Sequence, residues 1–254
     1  MIKEKIQCKK TAGISKKLCD AIAKSGVSFD ELAVALSTVT NNFKKEQEIV
    51  IHLGLHKTGT TFLQKCVFPK LKDVEVQHLM NICQIKFASH KKTLLISSEG
   101  LLSSMPHYPD NNTVEDSIEA LYRIYPNAKI IMGVRNERSW FISCWNQYIR
   151  SGGVLSFSEY LMEYGGNCLL PREYIALMEK RWKHVFVYEQ QELRAFPFKT
   201  IEYMCKFMGV PIPIFDITTA NKSFSKNKIC ILRFINHWTF GIYNKIYAKI
   251  ISWQ

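Results

Sequence analysis

The chain has 254 residues and a formal net charge of +12, with 47% hydrophobic and 22% charged side chains. That composition excludes a disordered or fibrous protein, and the length suits one α/β domain with a small appendage. The positive charge favours anionic partners without naming them; with no zinc-finger spacing and no RNP-type aromatic signature, nucleic acid is not the expected partner.

Residues 1–46 are basic and helix-prone. Ser28-Phe29-Asp30-Glu31 has the spacing of a capping box before the apolar run LAVAL, so a helical amino-terminal extension is expected. The first residues, MIKEKIQCKK, hold no apolar run of the kind a secretory signal needs, which places the expected location in the cytoplasm. The cysteines at 8, 19, 66, 83, 144, 168, 205 and 230 are scattered and contain no C-x-x-C pair. They read as packing residues, with neither a disulfide framework nor a metal site expected.

The first strong strand is Ile49–Leu53, and the spacing predicts a helix from Thr60 to Phe68, stopped by Pro69. Further strands are predicted at 93–97 (TLLIS), 129–134 (KIIMGV) and 184–188 (HVFVY), with a helix over 116–125 among the helical patterns between them. Nearly continuous apolar strands separated by helices predict a three-layer α/β/α domain over 47–235 with a central parallel sheet. Such sheets bind ligands beyond the carboxyl ends of their strands.

The last segment, 236–254, is predicted as an amphipathic helix. Ile231, Ile235, Trp238, Ile242, Ile246 and Ile250 recur at helical spacing, Lys228, Arg233, Lys245 and Lys249 carry charge between them, and a break is expected near Gly241. The charges argue against a transmembrane span. Two readings stay open: a helix packed on the domain, or one lying on an anionic membrane, which would make the protein peripheral at the inner membrane face.

Three strand ends carry the chemistry. After the first comes GLHKTGTT, 54–61, which keeps the glycine spacing of a nucleotide-binding loop through Gly54 and Gly59 but puts Thr60 where that loop has lysine. Backbone amides in a glycine-containing turn ahead of a helix cradle an anion, and Lys57, Thr60 and Thr61 would add a cation and two hydroxyls. After the strand at 93–97 comes Glu99, a carboxylate placed to act as general base. After 129–134 comes Arg135, suited to planar recognition of phosphate, with Ser143 one or two helical turns on. No obvious strand ends in a magnesium-holding aspartate, which counts against an atypical ATP-dependent kinase. A non-catalytic nucleotide- or glycan-binding adaptor of the same fold is the other alternative.

Together these segments resemble the sulfotransferases that use 3′-phosphoadenosine 5′-phosphosulfate, PAPS. The family's loop, P-K-S-G-T-T or H-K-T-G-T-T, is matched by His56-Lys57-Thr58-Gly59-Thr60-Thr61, followed by Phe62. Its arginine with a serine eight residues later is matched by Arg135 and Ser143. Tyr125–Ile131, VYEQQEL at 187–193 and FMGVP at 207–211 extend the resemblance over 48–235. Glu137 departs from the pattern, since the family often has proline after Arg-Asn.

The resemblance implies that the loop, with Phe62 at its end, binds the phosphosulfate, that Arg135 and Ser143 bind the 3′-phosphate, and that Lys57 stabilises the leaving group without a metal. It further implies that Glu99, the type of base found in glycan-modifying members, accepts the proton of an acceptor hydroxyl on a carbohydrate or glycolipid. The product would be adenosine 3′,5′-bisphosphate. His107 is the second candidate for the base, and Lys222 or Ser223 is a further expected contact to the 3′-phosphate side.

Overall fold

The computed structural model describes residues 47–78, 91–102, 105–107, 113–217 and 225–251. The expected extension over 1–46, Lys222 and Ser223 lie outside the described residues, as do the side chains of Asn167, Lys226 and 240–251.

Five strands form one parallel sheet in the order β2-β3-β1-β4-β5: β1 (Glu48–Gly54), β2 (Val74–His78), β3 (Thr93–Ser98), β4 (Lys129–Val134) and β5 (Val185–Glu189). The four predicted strands are present to within a residue or two. The fifth, β2, escapes the sequence pattern because VEVQH lacks an apolar run: it is an edge strand paired only with β3. From β1 the chain passes to the edge strand β2, returns through β3, then crosses to β4 and β5 on the other side. That reversal brings the carboxyl ends of β3, β1 and β4 side by side, the place where open parallel sheets bind ligands.

Strand residues alternate between two cores. Ile51, Leu53, Ile96, Ile130 and Met132 face α2 (Val114–Ile124) and α5 (Pro171–Arg181), where Trp182 donates to the Tyr125 carbonyl at 2.8 Å. Val50, Leu95 and Ile131 face the helical segment after β1 and α7 (Pro197–Met208). Val50, Ile51, Leu95, Ile96, Ile130 and Ile131 are fully buried, each contributing about 1.5–3 kcal/mol relative to an exposed side chain. A third cluster joins α3 (Glu137–Arg150) to α4 (Phe157–Tyr164) through Trp140, Phe141, Cys144 and Tyr160.

Two helices differ from expectation. The segment after the loop, α1, begins as an α-helical turn at Thr60–Phe62, widens into a π-helical turn over Leu63–Val67 and tightens into a 3₁₀ turn over Phe68–Lys70. Pro69 lies in the opening of that last turn rather than stopping the helix at Phe68, because at the start of a turn its missing N–H leaves no acceptor unmatched. The carboxyl-terminal helix α8 runs unbroken from Lys226 to Ile251, through Gly241. An interior glycine costs roughly 1 kcal/mol, which weakens a helix without breaking it. After the short α6 (Gln190–Ala195), α7 ends on Gly209 at φ 72°.

Candidate active site

The loop between β1 and α1 is built on a pair of glycines. Gly54 and Gly133 are register partners across β1 and β4. A Cβ on Gly54 would lie 2.2 Å from Thr60 Oγ1, and one on Gly133 would lie 2.4 Å from the Tyr188 hydroxyl and 2.8 Å from Thr58 Oγ1. The two missing side chains therefore make the hollow that three hydroxyls fill. Thr58 and Thr60 are buried in it, with Thr58 donating to the Leu55 carbonyl at 2.7 Å.

Gly59, at φ 96°, and Lys57, at φ 71°, hold the loop's left-handed turns. For a lysine that backbone costs about 1–3 kcal/mol, the kind of strain that folds keep at functional sites. A helix start leaves its first amides without intrahelical acceptors. Here those of Phe62 and Leu63 close back on the Gly59 carbonyl, and those of Thr60 and Thr61 precede them. The Phe62 ring turns away to meet Phe215 at 6.2 Å in the second core.

Beneath the loop runs a buried polar chain. Gln64 donates to Ser97 Oγ at 3.0 Å, Ser97 meets His52 Nδ1 at 2.8 Å, and His52 Nε2 meets the Tyr188 hydroxyl at 3.0 Å; that hydroxyl is also bonded to Thr58 and Thr60. His52 is fully buried, and desolvation, with a smaller contribution from His78, pushes its pKa down to about 3. It is a neutral imidazole at physiological pH, one ring nitrogen donating and the other accepting. Burial likewise raises the Tyr188 phenol. Replacing Tyr188 by phenylalanine strips His52 and the loop threonines of a shared partner. The expected loss is about 1–3 kcal/mol, or roughly 2–12 °C in thermal midpoint for a chain of this size, read by thermal unfolding.

Helix α3 supports the loop from the other side. Asn136 caps it by accepting from the Ser139 amide at 3.3 Å. Residues 139, 143 and 147 of α3 are spaced four apart and so share a face, and Arg135, just ahead of the cap, stands four residues before the first of them. Arg135 Nε donates to Ser139 Oγ at 3.0 Å, and one of its terminal nitrogens donates to the Lys57 carbonyl at 3.2 Å. At the far end of the stripe Lys57 Nζ donates to Gln147 Oε1 at 3.3 Å, with the half-buried Ser143 between. Trp140 Nε1 adds a bond to the His56 carbonyl at 2.9 Å.

Lys57 and Arg135 are both half-buried, and among the described residues neither makes an ion pair. Desolvation lowers the pKa of each. Arg150 and Arg135 add to the effect at Lys57, where Cys144 and Glu99 oppose it, and Arg194 adds to it at Arg135, where Cys144 opposes it. Half-buried cations that repel one another and have only neutral hydrogen-bond partners are electrostatically suited to an anion. Cys144, among them, is pushed up to about 12 by burial and stays a thiol at neutral pH.

Glu99 follows β3 directly, and its Oε2 lies 3.1 Å from His56 Nδ1, both side chains about a quarter exposed at 27% and 22%. The carboxylate is thereby oriented by the loop residue next to Lys57. His107 stands among aromatic rings, its Nδ1 2.9 Å from the Tyr160 hydroxyl and its ring 5.5 Å from that of Tyr148. Burial lowers its pKa, and the charge of His56 adds to the shift, so the two histidines lie within electrostatic reach.

His56, Lys57, Thr58, Gly59, Thr60, Thr61, Glu99, Arg135 and Ser143 thus gather around three adjacent strand ends. Ser139, Trp140 and Gln147 join them without having been singled out in the sequence, although the spacing of four after Arg135 points to the first and last. Tyr188, Gly133 and the His56–Glu99 pair carry no local signal.

The chain matches a family described as "Sulfotransferase domain" over residues 47–237. Among solved structures it is similar to a sulfotransferase from Alicyclobacillus acidocaldarius, at 16% identity and a TM-score of 0.50, with 72% of this chain and 88% of that one covered. A mouse sulfotransferase complexed with PAP matches at 17% identity and a TM-score of 0.47, covering 70% of this chain and 64% of that one. No curated protein matches.

Proposed function

We propose that this chain, which belongs to the sulfotransferase domain family, moves a sulfuryl group from PAPS to a hydroxyl of a carbohydrate or glycolipid. The carrying observation is the pair of half-buried cations, Lys57 and Arg135, without ion-pair partners among the described residues and beside a loop that offers helix-start amides and the half-buried Thr61. A bisphosphorylated nucleotide with a terminal sulfate offers two separate anionic groups to such a receptor.

PAPS, when bound, supplies the activated sulfuryl group. The Thr61 hydroxyl and the amides of Thr60 and Thr61 hold its phosphosulfate end, the hydroxyl of Thr60 being buried against Thr58 and Tyr188. Arg135, with its Nε committed to Ser139 and one terminal nitrogen to the Lys57 carbonyl, offers its other N–H groups to the 3′-phosphate, and Ser143 adds its hydroxyl. Lys57 places its ammonium where negative charge collects on the departing phosphate. Glu99, oriented through His56, takes the proton of the acceptor hydroxyl as that oxygen attacks sulfur. Alignment of the two reactants within the site supplies much of the rate.

The test is a thermal-shift titration with adenosine 3′,5′-bisphosphate, beside ATP with magnesium, on the wild type and Arg135→Ala. A ligand that binds only the folded state raises its midpoint, by about 2.7 kcal/mol of stability at a hundredfold excess over Kd. Stabilisation by the bisphosphate that Arg135→Ala loses is expected. A response to ATP with magnesium alone overturns the reading in favour of a kinase, and silence toward both favours an adaptor.

A further inference from the structure

Helix α8 has two opposed faces. One docks on the domain: Asn236 Nδ2 donates to the carbonyls of Ile149 at 2.7 Å and Gly153 at 2.8 Å, Arg233 Nε donates to that of Val154 at 2.7 Å, and Ile229 is buried. At about 100° per residue, Ile231, Phe234, Ile235 and Trp238 fall on the far side, 61, 72, 47 and 68% exposed. Their spacing of three, four and seven makes one apolar stripe about 10 Å long, directed away from the domain.

We propose that this stripe seats on an anionic lipid bilayer, with α8 lying in the plane of the interface. Besides Arg233, which is turned to the domain and pairs with Glu159, the helix carries Lys226, Lys228, Lys245 and Lys249 and no acidic residue, on a chain whose net charge is +12. An apolar face with aromatic members on a basic helix is the composition that binds lipid interfaces. No helix among the described residues is long and apolar enough to cross a membrane, so the geometry is that of a surface helix. Pairing with a second copy would bring two basic helices together, and like charges across an interface disfavour it. Through Ile149 the docked face holds α3, the helix whose Gln147 binds Lys57, so a bilayer under α8 lies one packing layer from the candidate active site. An acceptor hydroxyl carried on a lipid is the kind such an arrangement serves.

The test is co-sedimentation of the full chain with phosphatidylcholine vesicles, and with vesicles in which about one quarter of the lipid is phosphatidylglycerol, across a range of salt. Binding to the anionic vesicles, weakened by salt, is expected. The paired variant Phe234→Ser, Trp238→Ser should bind at least about tenfold more weakly, since each lost apolar contact is worth more than a factor of ten when fully buried. Both side chains are exposed, so the variant should keep the wild-type thermal midpoint, which separates lost binding from lost folding. Equal pelleting of variant and wild type overturns the proposal, as does failure to bind anionic vesicles. A dimer in light scattering that the paired variant dissolves, without vesicle binding, overturns it in favour of self-association.

Discussion

Glu99→Gln is expected to lower kcat by about 10²- to 10⁴-fold, the usual worth of a positioned general base. It should leave stabilisation by adenosine 3′,5′-bisphosphate at the wild-type level. Glutamine has the same shape, and its carbonyl oxygen still accepts from His56 Nδ1, which lies 3.1 Å from the present carboxylate. The loop therefore keeps its geometry while the group that takes the proton is gone. The readout is the rate of bisphosphate formation with a panel of carbohydrate and glycolipid hydroxyls, measured beside the thermal shift. His107→Asn is the companion variant. His107 is a neutral imidazole held by the Tyr160 hydroxyl, chemically able to accept a proton. On the proposed mechanism its loss changes kcat far less than that of Glu99. Turnover that survives Glu99→Gln and disappears in His107→Asn would move the base to the histidine.

Glu99 and Arg135 mark where a sequence pattern suffices. Glu99 is legible because it closely follows a run of apolar residues, TLLIS, whose length and burial make a central strand unmistakable, and strand ends in parallel sheets carry ligands. Arg135 is legible for the same reason after KIIMGV. What orients them is not. His56 meets Glu99 across 43 residues, and Arg135 reaches the Lys57 carbonyl across 78. No local pattern encodes such distances; they follow from the order in which strands settle beside β1. His52 shows the same limit from the other side. A histidine within an apolar strand announces a buried polar group that needs partners, but Tyr188, 136 residues away, becomes its partner only because β4 separates β1 from β5 and Gly133 on β4 leaves room for the phenol.

Edge strand β2 and the unbroken α8 differ from the sequence pattern for another reason, which is that local signals are weak against their setting. VEVQH alternates apolar and polar as an edge strand does, but two valines in five residues are too short a signal to stand out, and pairing along β3 supplies what the local pattern lacks. Gly241 argues for a break, yet one interior glycine removes only roughly 1 kcal/mol from a helix of 26 residues.

Lys57→Ala is expected to lower kcat by about 10²- to 10³-fold, the cost of removing one preorganised group from a developing negative charge, while the fold survives because the side chain is only half-buried. The pH profile identifies the group more sharply than the rate does. Burial lowers the pKa of Lys57 below the ordinary lysine value, with Arg150 and Arg135 adding to the effect and Cys144 and Glu99 opposing it. The protonated ammonium is the active form on the proposed mechanism. Activity is therefore full below the lowered pKa and falls as pH rises through it, so the alkaline limb of kcat/KM, which reports the free enzyme, comes earlier than an ordinary lysine would give. A bound anion favours the charged lysine and moves the corresponding limb of kcat to higher pH. Lys57→Arg separates charge from titration: a guanidinium stays charged throughout, so some activity should remain and the alkaline limb should vanish. An alkaline limb that persists unchanged in Lys57→Arg assigns the titration to another group and removes Lys57 from the leaving-group role.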